Sequence, residues 1–332
     1  MNLVPTNLNN FIYNKKIATR LNIYDKNYLE NLVFYGQNNS GKRTLIGGLL
    51  SKLADNNVIK RNMKTYKLKI NNNKIDINFI ESKYHFEINL YEYGHYDKAI
   101  ICEFFKYVLS YKNISELSYK VIILHHFDKV SKIAQLALRM IIEKSYKIGR
   151  FIICCENINQ IDKALLSRFI CVRVPKPNNE TIKDYVSLKL KEVNKKNESI
   201  TDHILSISNG CMYKTNLLLE NYINMGYIDK SLIINEVDII KPILREIEEK
   251  DLKSISVIKK IVYKYLLLNI SPKTLFLSIS SYYNTSDKFM PETIHKLINL
   301  TAEIDNIIDK VSYDIFALEY YILNLKYILL TI

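Results

Sequence analysis

A chain of 332 residues with 48% hydrophobic content is long enough for two or three domains and too apolar for an intrinsically disordered protein. Its net charge of +13 favours polyanionic partners, nucleic acid first, although an Asn-, Ile-, Lys- and Tyr-rich vocabulary typical of AT-rich codons is a second source of that charge. The five cysteines (Cys102, Cys154, Cys155, Cys171, Cys211) show no C-x-x-C spacing, which argues against zinc and for reduced, buried thiols in a cytosolic or nuclear compartment. No signal-peptide pattern opens the sequence, and the apolar C-terminal stretch is broken by Glu319 and Lys326, so a packed helix is expected there and no membrane span.

Residues 1–30 read as a polar lead-in. The apolar run Leu32-Val33-Phe34-Tyr35 predicts a buried strand, and Leu45-Ile46 with Leu49-Leu50 predict a helix. Residues 64–70 and 74–80 alternate, which suggests a hairpin about Asn71-Asn72-Asn73. Helical spacing spans 98–112 and 131–146, and residues 121–124 and 151–155 read as buried strands. Strands alternating with helices argue for a parallel sheet flanked by helices. Pro175-Lys176-Pro177-Asn178-Asn179 marks a boundary. Beyond it the pattern is helical: 180–194, 201–209 and 214–226 form a small bundle, then a longer helical region runs from about 236 to 332.

Between the first strand and the first helix lies Gly36-Gln37-Asn38-Asn39-Ser40-Gly41-Lys42-Arg43-Thr44. Strand, G-x-x-x-x-G-K and helix make a P-loop, whose backbone N–H groups and lysine hold nucleotide phosphates. Gly36, Asn39, Ser40, Gly41, Lys42, Arg43 and Thr44 are the candidate nucleotide-binding residues. The residue after the lysine should carry a hydroxyl for Mg²⁺, yet Arg43 stands there and Thr44 comes one position late. An ATPase also needs an aspartate and a neighbouring glutamate at the end of a second buried strand. Strand 121–124 is instead followed by His125-His126-Phe127-Asp128, and Asp128 lies too far along to replace the first acid. Mg²⁺ prefers oxygen to imidazole, so the three departures together predict that hydrolysis is absent here; a transition-metal site on the histidines is the rival reading. Arg43 is expected to offset phosphate charge without metal. Phe104-Phe105 invite a partner-binding reading, with core packing the expected outcome.

Several stretches resemble the AAA+ clamp-loader small subunits, with their AQxALRRxxE and SRC motifs. They are Ala134-Gln135-Leu136-Ala137-Leu138-Arg139, Ile142-Glu143-Lys144, Arg150-Phe151-Ile152-Ile153-Cys154-Cys155 and Ser167-Arg168-Phe169. Ser82-Lys83-Tyr84-His85-Phe86-Glu87-Ile88, and Tyr93-Gly94 before Asp97, look like the eukaryotic replication factor C small subunits with a degenerate ATPase site, whose P-loop reads G-K-K-T. Pro5-Thr6-Asn7-Leu8-Asn9-Asn10-Phe11 is a faint echo of the family's opening motif.

The resemblance implies an α/β P-loop AAA+ domain at 1–175, a small helical lid at 176–234 and an all-α collar at 235–332. It implies a heteropentamer with other clamp-loader subunits that opens a sliding clamp and loads it on primer–template DNA. That would place it in the nucleus or at a cytoplasmic replication site, a viral factory if viral. ATP or ADP is the implied cofactor, independent of Mg²⁺. In the family, the arginine of the SRC motif, here Arg168, reaches a neighbour's ATP as a finger in trans. The sensor-1 asparagine aligns with Glu156 and the sensor-2 arginine with Tyr213, beside Lys214, so both are further losses alongside His125 and His126. Helix N-termini of the family track the DNA backbone, which here points to Lys98, Ser131 and Lys132. Two rivals remain: an active AAA+ ATPase with unusual metal ligands, and a protein-binding scaffold of the same fold.

Overall fold

The computed structural model describes residues 4–55, 59–70, 73–110, 116–193, 198–208, 210–228, 236–248, 257, 259, 260, 262, 263, 272–285, 290–308 and 314–330. The chain divides into two compact units, Met1–Asp229 and Lys230–Ile332.

The first unit begins with α1 (Lys15–Leu21), β1 (Leu32–Tyr35) and α2 (Lys42–Leu53). A long hairpin, β2 (Asn62–Ile70) and β3 (Asn73–Glu81), leads into β4 (His85–Asn89) and α3 (Asp97–Ser110). Then follow β5 (Lys120–His125), α4 (Lys132–Lys144), β6 (Gly149–Cys155), the one-turn α5 (Lys163–Leu166) and β7 (Ile170–Arg173). The seven strands form one sheet in the order β2-β3-β4-β5-β6-β1-β7. From β4 to β7 the pairs are parallel, whereas β2–β3 and β3–β4 are antiparallel. The sheet is therefore mostly parallel, extended by a hairpin at one edge. The hairpin's expected turn at 71–72 lies outside the described residues, as do 111–112 of the helix expected to end there.

Strand alternation sorts two cores. Val121, Ile123, Ile152, Cys154, Leu32 and Phe34 face Leu45, Leu49 and Leu50 of α2. Ile122, Leu124, Phe151, Ile153 and Val33 face Phe104 and Phe105 of α3 and Leu138 and Ile142 of α4. A strand buried on both faces reads as a continuous apolar run, which is why β5 and β6 are legible without period-2 patterning. Ser131 caps α4 by accepting from the Ala134 N–H at 3.2 Å. Among the cysteines, Cys154 and Cys155 are buried, and burial pushes the Cys154 thiol up to about 11. Cys171 departs from the buried expectation: it lies exposed on β7, at the sheet's edge.

Among the described residues three helices close this unit: α6 (Asn179–Glu192), α7 (Glu198–Ser208) and α8 (Met212–Met225). The second unit contains α9 (Glu236–Glu248), α10 (Pro272–Thr285), α11 (Pro291–Ile308) and α12 (Asp314–Leu330). They enclose a separate core that includes Ile243, Phe276, Tyr283, Ile304, Tyr321 and Leu325. No described helix is long and apolar enough to cross a membrane.

Phe104 and Phe105 are both fully buried, as the core reading expects. Phe104 packs its ring at a tilt against Phe79 at 4.9 Å and Tyr66 at 5.7 Å, tying the hairpin to α3. Phe104→Ala is therefore expected to destabilise the first unit by about 3–5 kcal/mol, read as a lowered denaturation midpoint with an unchanged far-UV spectrum at low temperature.

Candidate nucleotide site

The P-loop leaves β1 at Gly36 and enters α2 at Lys42. Gly36 has φ +150°, and a Cβ there would lie 2.1 Å from the Val174 carbonyl oxygen, so only glycine fits beneath the exit of β7. Asn39 and Gly41 also take positive φ, 58° and 91°. The Lys42 ammonium folds back to donate to the carbonyls of Gly36 at 2.6 Å and Gln37 at 2.8 Å. Ser40 is buried with its hydroxyl unpartnered. The first turn of α2 carries Lys42 and Arg43 and no acid. Among the described residues no acid pairs with these two cations at the positive end of a helix dipole, and a bound anion would supply the counter-charge. A cavity of about 750 Å³ adjoins the loop, lined by Phe11, Tyr13, Gly41, Thr44, Tyr185 and Met212 among others. These residues fit a nucleotide's phosphates and offer space for the rest of it.

They do not fit Mg²⁺. The Arg43 Nε–H donates to His125 Nδ1 at 3.4 Å, so guanidinium and imidazole meet where a hydroxyl and a carboxylate would hold the ion. His125 is buried at the end of β5, and its Nε2 lies 3.0 Å from Glu87 Oε2 on the adjacent β4. Glu87 Oε1 lies 2.8 Å from His85 Nε2, and His85 Nδ1 lies 2.6 Å from the Ser82 hydroxyl. Arg61 adds an ion pair to Glu87 at 3.6 Å. One proton arrangement satisfies the row: Ser82 donates to His85, His85 and His125 each donate from Nε2 to Glu87, and Arg43 donates to His125. Burial opposes the Glu87 charge, but hydrogen bonds from His125 and His85 outweigh it and hold the carboxyl far below its ordinary value of 4.5.

His126 leaves the strand in a left-handed conformation, φ 49°. Burial and the nearby Arg43 and Lys129 charges push its pKa down, which keeps the ring neutral near pH 7. The Asp128 Oδ2 accepts from the backbone N–H groups of Glu156 and Asn157, both at 3.1 Å, joining the ends of β5 and β6, while its Oδ1 is buried without a partner. Tyr213 is exposed in the first turn of α8, with Lys214 half-buried beside it.

Arg168 follows α5 on the surface. Its guanidinium donates to Glu143 of α4, to the Ala164 carbonyl, and to the Ser167 hydroxyl at 3.2 Å. The three candidate DNA contacts lie at the starts of α3 and α4, joined by the buried Asp97 carboxylate. Asp97 accepts from the Ser131 N–H at 2.8 Å and the Lys98 N–H at 2.6 Å. Lys132 donates its ammonium to the Gln160 carbonyl at 2.5 Å, while Lys98 is exposed.

A Dictyostelium discoideum protein named a probable replication factor C subunit 3 is 30% identical over 307 residues, covering 88% of each chain. The chain belongs to the replication factor C family of clamp-loader subunits. Human replication factor C subunit 3 is 32% identical over 193 residues, and the match spans just over half of each protein, 57% of this chain and 54% of the human one. No protein-family model matches. A Thermotoga maritima RuvB structure superposes with a TM-score of 0.50 at 12% identity, covering 97% of this chain and 91% of that one, a likeness in AAA+ fold alone.

Within this replication factor C site, sequence reasoning missed Glu87, His85, Ser82 and Arg61. The available signal was the period-2 pair His85 and Glu87 alternating with the apolar Phe86 and Ile88. The register Asn89 to His125 sets both on the sheet face of His125.

Gly36→Ala is expected to displace the Val174 carbonyl, lower stability by about 1–3 kcal/mol and abolish phosphate binding, checked by thermal melts with and without ADP. For Glu87, a folded pKa below the unfolded value means its stabilisation is full above pH 4.5 and is lost as pH falls towards the folded value. The stability advantage of the wild type over Glu87→Gln should thus be constant near pH 6–7 and shrink below about pH 4.5 in denaturant titrations.

Proposed function

We propose that this replication factor C subunit is noncatalytic: it holds ATP or ADP without Mg²⁺, takes its place in a clamp-loader heteropentamer, and lends Arg168 to a neighbour's ATP. The observation that carries the first part is chemical. A guanidinium and two imidazoles stand at the three positions where a P-loop ATPase has a hydroxyl and two carboxylates. Bound nucleotide would supply the anion that α2 lacks. Gly36, Asn39, Ser40, Gly41 and Lys42 hold the phosphates through backbone N–H groups and the ammonium, with Arg43 and Thr44 at the helix start. Glu156 and Tyr213 offer neither sensor's neutral amide nor its cation, which agrees with a site that binds and does not hydrolyse.

The trans role of Arg168 is supported by its surface position and by the sequence around it. Glu143 holds the guanidinium meanwhile, so engaging a neighbour's phosphate exchanges one anionic partner for another. Partners consistent with the family are the other loader subunits, a sliding clamp, and primer–template DNA contacted along its backbone by Lys98 and the α4 start at Ser131 and Lys132. Work at a nuclear or viral replication site follows from the same reading.

An active ATPase with unusual metal ligands fits less well. Both ring nitrogens of His125 are already engaged, by Arg43 and Glu87, leaving no lone pair for a metal.

The purified chain is expected to show no Mg²⁺-dependent ATP turnover; turnover that Lys42→Ala abolishes would overturn the noncatalytic reading. Failure to co-purify with other loader subunits would favour a repurposed scaffold. In the assembled complex with clamp and DNA, Arg168→Ala is expected to slow the neighbouring site by about 10³-fold or more. Normal turnover there would remove the finger assignment.

A further inference from the structure

We propose that Glu87 and His125 are positioning residues for Arg43, and that Arg43 so held is the site's resident cation, standing in for the divalent ion on the polyphosphate of a nucleoside di- or triphosphate. This rests on the nucleotide-binding reading above and names the device that makes it independent of metal.

Arg43 is exposed, and among the described residues it forms no ion pair with an acid; its one hydrogen bond joins Nε to a ring nitrogen of His125. The guanidinium keeps its full charge, and both Nη groups stay available for phosphate oxygens, which a planar fork engages two at a time. What holds Nε is a buried chain that ends on backbone. His125 is fixed by Glu87 at 3.0 Å, Glu87 by His85 at 2.8 Å, and His85 by Ser82 at 2.6 Å. The Ser82 hydroxyl in turn accepts from the backbone N–H groups of Tyr84 at 3.2 Å and His85 at 2.9 Å.

The polarity of the chain matters. Because the carboxylate only accepts, His125 must present N–H at Nε2, which leaves the Nδ1 lone pair for Arg43. A site that had merely lost its Mg²⁺ ligands would need no buried carboxylate threaded between two strands. An incoming Mg²⁺ would meet a fixed positive charge and imidazole nitrogens in place of the oxygens it requires.

The test is ADP affinity of the full chain, measured by calorimetry in EDTA and again in excess Mg²⁺. The wild type should bind with the same affinity in both, within about twofold. Arg43→Ala, which removes an exposed side chain and leaves only the His125 Nδ1 without its donor, should weaken binding in EDTA by about tenfold or more. His125→Gln keeps an N–H directed at Glu87 but moves its acceptor, the amide oxygen, away from the Nδ1 position that faces Arg43. It should weaken EDTA binding several-fold with an unchanged thermal midpoint, a pattern a merely structural role would not give. Should that variant fail to fold, His125→Asn, which keeps an acceptor near Arg43 but drops the link to Glu87, takes its place and should also weaken EDTA binding. Arg43→Thr should make affinity dependent on Mg²⁺.

Wild-type binding that requires Mg²⁺ would overturn this inference and leave nucleotide binding standing. So would wild-type affinity in Arg43→Ala, and unchanged affinity in a folded His125 variant would remove the positioning role. No ADP binding under either condition would overturn both this inference and the nucleotide reading.

Discussion

A carboxylate inside a sheet is tolerable only where each oxygen has a donor, and Glu87 meets that condition with an imidazole on either side. The requirement reaches beyond the residue. His85 lies on the same strand, His125 on the next, and Arg43 at the start of α2, so one buried charge ties β4, β5 and α2 together. Removing a partner from such a row leaves a buried group unsatisfied, whereas an apolar row of the same shape would carry no such penalty. The row is therefore a costly way to hold a sheet together and an effective way to aim a side chain.

The strand order makes the aiming possible. With β5 and β6 beside β1, the ends that follow His125, Cys155 and Tyr35 open on the same edge of the sheet. The P-loop emerges from the last of these and Val174 closes over it from β7. Asp128 then links the loops after β5 and β6 through the backbone N–H groups of Glu156 and Asn157.

Much of this was legible in sequence, for local reasons. Gly36, Gly41 and Lys42 announce the P-loop by spacing alone, and the apolar runs of β1, β5 and β6 announce the central strands because both of their faces are buried. The helical pattern after Pro175 likewise announced α6 to α8. What escaped depends on register and on chain-distant pairing. Nothing near Glu87 says that His125, 38 residues on, will meet it across two strands. Nothing near Ser131 says that its N–H will be taken by Asp97, 34 residues earlier. The pairing of Arg168 with Glu143 is of the same kind, since it needs the packing of α5 on α4. Cys171 misled for a different reason: an apolar neighbourhood in sequence does not reveal that its strand is the last in the sheet.

Two arginines in this chain are held by neighbours that leave them ready for another partner. Arg43 is bound through Nε by a neutral ring, so its charge is undiminished and its outer nitrogens are free. Arg168 is bound by a carboxylate, at the surface, where the pair is partly exposed and screened by water, so holding it there costs little to undo. The contrast fits their different surroundings. On the roles proposed above, a cation over the chain's own bound phosphate is best fixed from behind by a buried, uncharged contact, and a cation that reaches a neighbour is best kept in a weak pair that a stronger anion can displace.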